Sequence, residues 1–506
     1  LAAAGCDTAR LLLSSLPRTT RTAVWAVRTA LAYKRFAMAR LGEDPDSEDY
    51  QSALGVLHQH YATQLLKLCR ANGGVYIKAG QMAAAFGAVP REFRITLSEL
   101  EDRATPRPYK AVQKVLLQEL GPRYKVVFSE FGEQAIAAAS MAQVHMARLA
   151  TGEAVAVKVQ YPGLALRVAA DLVVMNAFNQ VARVLFPAFK LAWLVDELNK
   201  KMSEELDFRT EIRNAVRVSS LLDRNQPIAA VPHMYEALST PRLLVMEWVE
   251  GCKVTDKEYM KARQISPRAV GLKLIKLFAE LTFVQGFMHA DPHAGNVMVR
   301  ATGRSSFWSW LVRGSRQPFE LVLLDHGTYL ELSPELRELF CQLWCSFVLQ
   351  DSALQADMST AVAGERGPVV LPVLLTQTAA SRSEERAVQK AAGISGVGDM
   401  ASLLQAAPRP VVELLRINTV IRTICVKLGL SMGERRRILT WYARTGLPVM
   451  GDHARHVHAR FNQRLCRVQL LMLMLGWQGA AAGKGLLSRA WSLIMAASCG
   501  LWGDVL

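Results

Sequence analysis

None of the eight cysteines stands in a C-x-x-C pair, and the 506 residues contain neither a zinc-finger spacing nor an RNA-recognition motif. The first absence leaves buried free thiols in a reducing compartment as the expectation; Cys341 and Cys345 lie one helical turn apart on an apolar pattern. The second, with Arg and Lys dispersed along the chain, removes nucleic acid from the partners that a net charge of +16 calls for. Anionic lipid and polyphosphate ligands remain. No uncharged apolar run reaches the ~20 residues of a membrane span. The longest, Val468 to Gly483, is diluted by Gln and Gly. No internal repeat occurs. An initial methionine is also missing, which fits a processed or partial product. Residues 8–40 are poor in acids and rich in Arg, Ser, Thr and Ala, as transit peptides are. The competing and preferred reading is an amphipathic helical extension with Trp25, Leu31 and Phe36 on its buried side.

What is present suffices for two to four domains or lobes. Residues 1–70 read as helices broken by the acidic turn 42–47, and 71–130 as further helical patterns around Gly73-Gly74 and Lys78-Ala-Gly-Gln81. The period then changes from helical to alternating. Gln143–Leu149 and Ala154–Gln160 read as strands joined by a Thr151-Gly152 turn. A long helical stretch follows from Leu164 to about Leu222, then strands at Val231–Tyr235 and Arg242–Trp248. After Gly251 the pattern is helical except for two short strands flanking 297–325, with an insertion at 301–320 and a loose connector at 364–400. Ala269–Phe287 reads as a buried helix that Gly286 can end. The expected fold class is α+β: a protein-kinase-like two-lobed fold, with a small sheet plus helices in the N-lobe and a helical C-lobe. The division expected is 1–70 N-terminal helical extension, 71–130 second extension, 131–250 N-lobe, 251–440 C-lobe and 441–506 helical tail.

The chemistry concentrates in His289-Ala-Asp291-Pro-His-Ala-Gly-Asn296, which has the H-x-D-x-x-x-x-N spacing of a phosphoryl-transfer loop. Asp291 can orient an attacking hydroxyl, and Asn296 can offer an oxygen to magnesium. One strand later, Asp325-His-Gly327 supplies a second candidate metal ligand, Asp325. Lys158 sits on a strand whose Val155, Val157 and Val159 point the other way. Alone it reads as an edge residue in water. Upstream, however, Ala137-Ala138-Ala139-Ser140 stands where a glycine-rich phosphate loop would stand; the plain alternative for that run is a helix. Carboxylate partners for Lys158 come from Glu204-Glu205-Leu-Asp207 and Glu211, where a straight helix places Asp207 and Glu211 on one face with Glu204. Glu247 and Val249, at the end of the Arg242–Trp248 strand, are further nucleotide-binding candidates.

Together these motifs closely resemble the UbiB/aarF-type atypical kinase-like family, and in detail its mitochondrial aarF-domain-containing branch. The resemblance spans roughly residues 50–350. It implies that Lys158 pairs with Glu211 and holds the phosphates of ATP or ADP. It further implies that Asp291 is the catalytic aspartate and that Asn296 and Asp325 bind Mg. Lys78 and Gln81 would form a K-x-G-Q motif on an extension covering the active site, contacted by Glu205 and Asp207. On this point the resemblance favours Glu205 where helix geometry favours Glu204. Ala294 replaces the usual proline of the loop.

Two absences bear on the substrate. Ala290 replaces the arginine of H-R-D, and a helix begins at Leu332-Ser-Pro, leaving no room for a long activation segment. The leading expectation is therefore a Mg-dependent ATPase or kinase acting on a small or lipid-like acceptor. The family implies support of quinone or isoprenoid-lipid metabolism at a mitochondrial membrane. The second reading is a nucleotide-binding scaffold regulating a membrane partner complex. The third is a metal-dependent phosphohydrolase built on His289, Asp291, His293, Asp325 and His326. The Leu470–Leu475 run, Trp477 and the Trp491–Trp502 stretch read equally as an interfacial membrane helix or as a helix packed on the C-lobe.

Overall fold

The computed structural model describes residues 2–44, 47–85, 89–100, 106–139, 141–185, 192–222, 228–303, 318–349, 352–365, 367–368, 371 and 409–447. Ser140, most of the 301–320 insertion and of the 364–400 connector, and everything from Val468 to Trp502 lie outside the described residues.

Four helices open the chain: α1 (Ala2–Ala39), α2 (Glu48–Asn72), α3 (Val75–Ala85) and α4 (Arg91–Leu97). Ser47 caps α2 by accepting the Tyr50 N–H at 3.3 Å, with Glu48 and Asp49 in the first turn where the helix dipole favours anions. Gly73 and Gly74, at φ 65° and 52°, then turn the chain into α3 through a conformation costly for any side chain. Ala62, Val75 and Leu97 join Met202 in one core that docks the extension onto the lobe behind it. The buried face of α1 runs through Thr22, Ala32 and Tyr33. Trp25 and Phe36 are half-buried, but Leu31 is exposed, because it lies off the stripe that α2 covers.

The N-lobe follows with α5 (Tyr109–Leu120), α6 (Tyr124–Val127) and strands β1 (Phe128–Phe131), β2 (Ala137–Ala138), β3 (Ala142–Leu149) and β4 (Ala154–Gln160). The alanine run is thus a short strand paired to Val144 and Gln143, not a helix. Alternation along β4 settles both faces of the sheet. Val155, Val157 and Val159 bury against α5, each worth at least ~1.5 kcal/mol, while Ala156 and Lys158 face the opposite side. The stretch read as one long helix is three: α7 (Leu164–Leu185), α8 (Ala192–Glu205) and α9 (Phe208–Leu221). The chain breaks at Leu206-Asp207 because Asp207 turns its carboxylate back onto the Arg209 N–H at 2.9 Å and starts a new helix.

Next come β5 (Ala229–Ala230) and β6 (Leu243–Glu247), the latter completing the antiparallel order β1-β3-β4-β6 with β2 against β3. Residues 231–235 make no extended strand, only an isolated Met234–Met246 bridge. Beyond Gly251 there are more strands than the pattern suggested: β7 (Cys252–Lys253), β8 (Phe287–His289), β9 (Val297–Ala301), β10 (Phe319–Leu323) and β11 (Tyr329–Glu331). They are too short to carry periodicity. They form a sheet of order β5-β10-β9-β7 and a β8–β11 pair. Helices α10 (Lys257–Ala262), α11 (Pro267–Ala279), α12 (Pro334–Leu349), α13 (Ser352–Ala363), α14 (Arg409–Lys427) and α15 (Met432–Thr445) complete the C-lobe. Its core holds Cys341, Cys345 and Cys425 as buried free thiols. After α11 the helix widens into a π-turn, Glu280–Gln285, and stops at Gly286, which takes the left-handed conformation (φ 64°). The expected two-lobed α+β arrangement is present, and the chemistry-bearing loops lie where its lobes meet. Among the described residues no helix is long and apolar enough to cross a membrane.

Candidate active site

Strand β4 points Lys158 at the first turn of α9. Its Nζ donates to both Glu211 oxygens at 3.0 and 2.9 Å and to Asp325 Oδ2 at 3.4 Å, with the Phe208 ring 5.2 Å away. One ammonium therefore ties a strand and a helix to the loop after β10, across 53 and 167 residues of sequence. Burial pushes the Glu211 carboxyl up to about 7 against the attraction of Lys158. Burial also opposes charge on Lys158, but Asp325 and Glu211 together hold its pKa above the usual lysine value. Asp325 keeps its charge by a different balance. Desolvation raises its carboxyl, and Lys158, the Gly327 N–H, His289 and Lys78 outweigh that and hold it far below the ordinary range. The Gly327 N–H bonds Asp325 Oδ1 at 2.9 Å.

The catalytic-type loop runs from β8 to β9. His289 joins the two loops: its Nε2–H donates to the Asp325 carbonyl, and its Nδ1 accepts the Asp291 N–H at 3.1 Å. Asn296 donates its amide to the Asp291 carbonyl at 2.9 Å, which leaves its carboxamide oxygen as an acceptor. His326 is buried, with its Nε2–H on the Leu323 carbonyl at 3.1 Å and its Nδ1 on the Tyr329 hydroxyl at 2.9 Å. Burial pushes it down to about 3, so it is neutral. Both nitrogens of His289 and of His326 are thus committed to the protein. Among the described residues no group of three His, Cys, Asp or Glu side chains could hold a metal. The phosphohydrolase reading loses His289 and His326 as ligands.

The extension that carries α3 closes over this site. Lys78 on α3 pairs with Glu205 at the end of α8, at 2.9 Å, and the break after Glu205 selects it over Glu204. Lys78 is also the first of the charges, ahead of His293, Arg416 and His289, that outweigh burial and keep the Asp291 carboxyl below the usual range. Gly80 has a packing reason: a Cβ there would lie 2.3 Å from Leu100 Cδ1. Gln81 binds the Leu100 carbonyl at 2.8 Å, fastening α3 to the chain that follows α4. A cavity of about 70 Å³ remains beside Asp291, lined by Lys78, Gln81, Glu205, Thr328 and Arg416 among others.

Other expected residues lie apart from this cluster. Asp207 is the helix cap already described. Glu247 turns its carboxylate to Arg300 at 2.8 Å, and Val249 is buried beyond it. Ala137 and Ala138 pair with β3; Ala139 gives its N–H to the Ala142 carbonyl at 2.8 Å and accepts from the Tyr161 hydroxyl at 3.0 Å. The sequence reading missed Arg416, on α14. Its guanidinium donates to the Ala290 carbonyl and pairs with Glu413 at 2.8 Å, and Glu413 in turn holds Lys201 at 3.0 Å. A remote helix thus braces the loop at the position where the arginine of H-R-D is absent. Glu413 and Arg416 at i and i+3 are the only local signal, and that spacing by itself reads as a surface pair.

A sheet lysine bridging a helix glutamate and a post-strand aspartate, above an H-x-D-x-x-x-x-N loop, defines a protein-kinase-like protein. The family model described as the ABC1 atypical kinase-like domain matches residues 99–359. AarF domain-containing protein kinase 1 of Xenopus tropicalis is 36% identical over 396 residues, 76% of this chain and 73% of that protein. The Mus musculus protein of the same name is 35% identical over 399 residues, again 76% of this chain and 73% of that one. Among solved structures, the Mycobacterium tuberculosis protein Rv3197 aligns with a TM-score of 0.47 at 23% identity, covering 76% of this chain and 95% of that one. The chain belongs to the ABC1 atypical kinase-like family.

Proposed function

We propose that this protein is a Mg-dependent ATP-binding kinase or ATPase that transfers the terminal phosphoryl group to water or to a small, lipid-like acceptor. The observation that carries the reading is Lys158 shared between Glu211 and Asp325, with His289 tying the Asp325 carbonyl to the Asp291 N–H. The Asn296 oxygen and the Asp325 carboxylate are hard oxygen donors suited to magnesium, which usually takes one or two carboxylates and completes its shell with substrate phosphates. Magnesium, when bound, would neutralise charge developing on the transferred group. Lys158 would then hold the ATP or ADP phosphates, with Ala137, Ala138, Ala139, Ser140, Glu247 and Val249 as further nucleotide contacts. Asp291 would orient the acceptor and take its proton on a carboxylate oxygen.

From Asp325 to Pro334, the first residue of α12, the chain forms only the β11 pairing with β8, and these residues build no peptide platform. The roughly 70 Å³ beside Asp291 admits a few waters or the end of a thin chain. Lys78 and Gln81, with Glu205 and Asp207, are proposed to form the family's extension motif. By family membership we assign a role in mitochondrial quinone or lipid metabolism near an anionic membrane surface, with a protein complex as a further partner. The boundaries 1–70, 71–130, 131–250, 251–440 and 441–506 remain our proposed division.

Purified protein should turn over ATP only with magnesium. Full turnover by both Asp325→Asn and Lys158→Ala would remove the assignment. The Lys78–Glu205 closure beside Asp291 favours one second reading, a nucleotide-binding scaffold controlling a membrane complex. Tight nucleotide binding without turnover, with Asp291→Asn still complementing a null cell, is its signature.

A further inference from the structure

A cavity of about 480 Å³ lies outside the catalytic cleft, between the start of α3, the 106–108 segment and α7. Its wall contains four arginines, Arg18, Arg70, Arg107 and Arg167, against a single carboxylate, Asp171. Asp171 is taken by Arg18 at 2.6 Å, and Arg70 has an exposed partner in Glu99 at 3.3 Å. Arg107 lies over the Tyr161 ring at 5.6 Å, and Arg167 reaches only the Pro162 carbonyl at 3.3 Å. Among the described residues neither makes an ion pair. Gly73, Gly74 and Val75 bring the positive end of α3 to the same wall, and the missing side chain at Gly74 leaves room beside the Arg18 guanidinium, 4.0 Å from where a Cβ would stand.

We propose that this cavity is a binding site for a phosphate ester, whether the headgroup of a lipid or a free small molecule. Guanidinium groups converging with a helix N-terminus match the planar, multidentate recognition of phosphate oxygens. Like charges held together in a cavity are otherwise unfavourable: burial, then Arg107 and Arg18, lowers the pKa of Arg167. A dianion would reverse that repulsion. Asp171, paired with Arg18, offsets the repulsion at Arg167 only in part, since burial and the neighbouring arginines still prevail there. The volume suits a phosphorylated three-carbon headgroup and lies within the ~300–1,000 Å³ common to ligand pockets. The site shares no lining residue with the cavity at Asp291, so it goes beyond the catalytic reading and stands without it. Its mouth is, however, one helical turn from Lys78 on the same helix α3.

The test uses the full chain saturated with Mg-ADP, so that the nucleotide cleft is closed to competitors. Glycerol 3-phosphate is titrated calorimetrically, and sedimentation is followed with phosphatidylcholine vesicles with and without phosphatidic acid. Wild type should bind at least one of these probes. Arg107→Gln/Arg167→Gln should bind about tenfold or more weakly, while Arg436→Gln/Arg437→Gln, with the same charge change on an exposed face of α15, keeps wild-type affinity. Arg107→Lys/Arg167→Lys, which keeps the charge and loses the planar fork, should fall between them and serves if the Gln pair does not fold. Binding of the soluble ester identifies a free ligand, and binding only to phosphatidic acid vesicles identifies a headgroup; either supports the site. Failure of wild type to bind either probe, or an equal loss in both Gln pairs, overturns it.

Discussion

Replacing Glu211 with Gln should raise the stability of the nucleotide-free protein at neutral pH while it removes catalysis. The reasoning starts from burial. Glu211 is 3% exposed and shares one ammonium with Asp325, and its carboxyl is raised from 4.5 to about 7. Between those two values the folded state binds more protons at this position than the unfolded state, so the contribution of Glu211 to stability falls as pH rises from 4.5 to 7. At ~1.4 kcal/mol for each pH unit the full effect is about 3 kcal/mol, complete above pH 7. His326 and His289 are both pushed down by burial and tilt the curve the other way, since the unfolded state binds their protons first as pH falls below 6.5. Only the difference between Glu211→Gln and wild type isolates Glu211. That difference, from urea denaturation at a series of pH values, should be small near pH 5 and grow in favour of the variant by roughly 2–3 kcal/mol by pH 8. A flat difference curve, or a variant less stable at pH 8 than at pH 5 relative to wild type, would refute the argument from burial. ATP turnover by the variant should meanwhile fall about a hundredfold or more, because Lys158 loses the partner that positions it.

Arg416→Ala should lower kcat for ATP by about 5- to 30-fold with little change in KM, because one charge-assisted bond to the Ala290 carbonyl is lost while the residues that would hold nucleotide are untouched; steady-state kinetics check it. Lys78→Met should destabilise the protein by about 3 kcal/mol or more by leaving Glu205 unpaired, and Lys78→Met/Glu205→Gln should recover most of that loss, read as a double-mutant cycle in urea. In Asp207→Ala the loss of the cap on α9 should cost about 1 kcal/mol and reduce turnover only modestly, since the carboxylate is spent on the Arg209 N–H. Gly446→Ala should be severely destabilising, by about 3 kcal/mol or more, because a Cβ would stand 2.0 Å from the backbone oxygen of Phe283; thermal denaturation reads it.

The parts of the fold legible in the sequence were those with a local cause. Strand alternation around Val155, Val157 and Val159 gave β4 and the direction of Lys158, and Gly286 stopped a helix where a left-handed residue was needed. The break between α8 and α9 was also legible in principle: Asp207 before Phe208, with Glu211 in the first turn, is a helix-start pattern. The apolar residues on either side continue a single helical period and mask it. Strands of two or three residues, such as β7 and β8, carry no period at all and are set by what they pair with. Arg416 was invisible for a stronger reason. Its partner is a backbone carbonyl 126 residues earlier, and an acceptor of that kind leaves no mark on side-chain composition.

The two histidine clasps have a consequence for inhibition. His289 fixes the Asp325 carbonyl, and His326 is wedged between the Leu323 carbonyl and the Tyr329 hydroxyl. Turning the Asp325 segment inside out would break all three bonds, leaving the His289 Nε2–H and both nitrogens of His326 without their partners. Compounds that work by capturing an inverted form of this segment have no such form to capture at modest cost. A selective blocker would instead have to compete at the narrow gap under Lys78, where the chain admits only slender molecules.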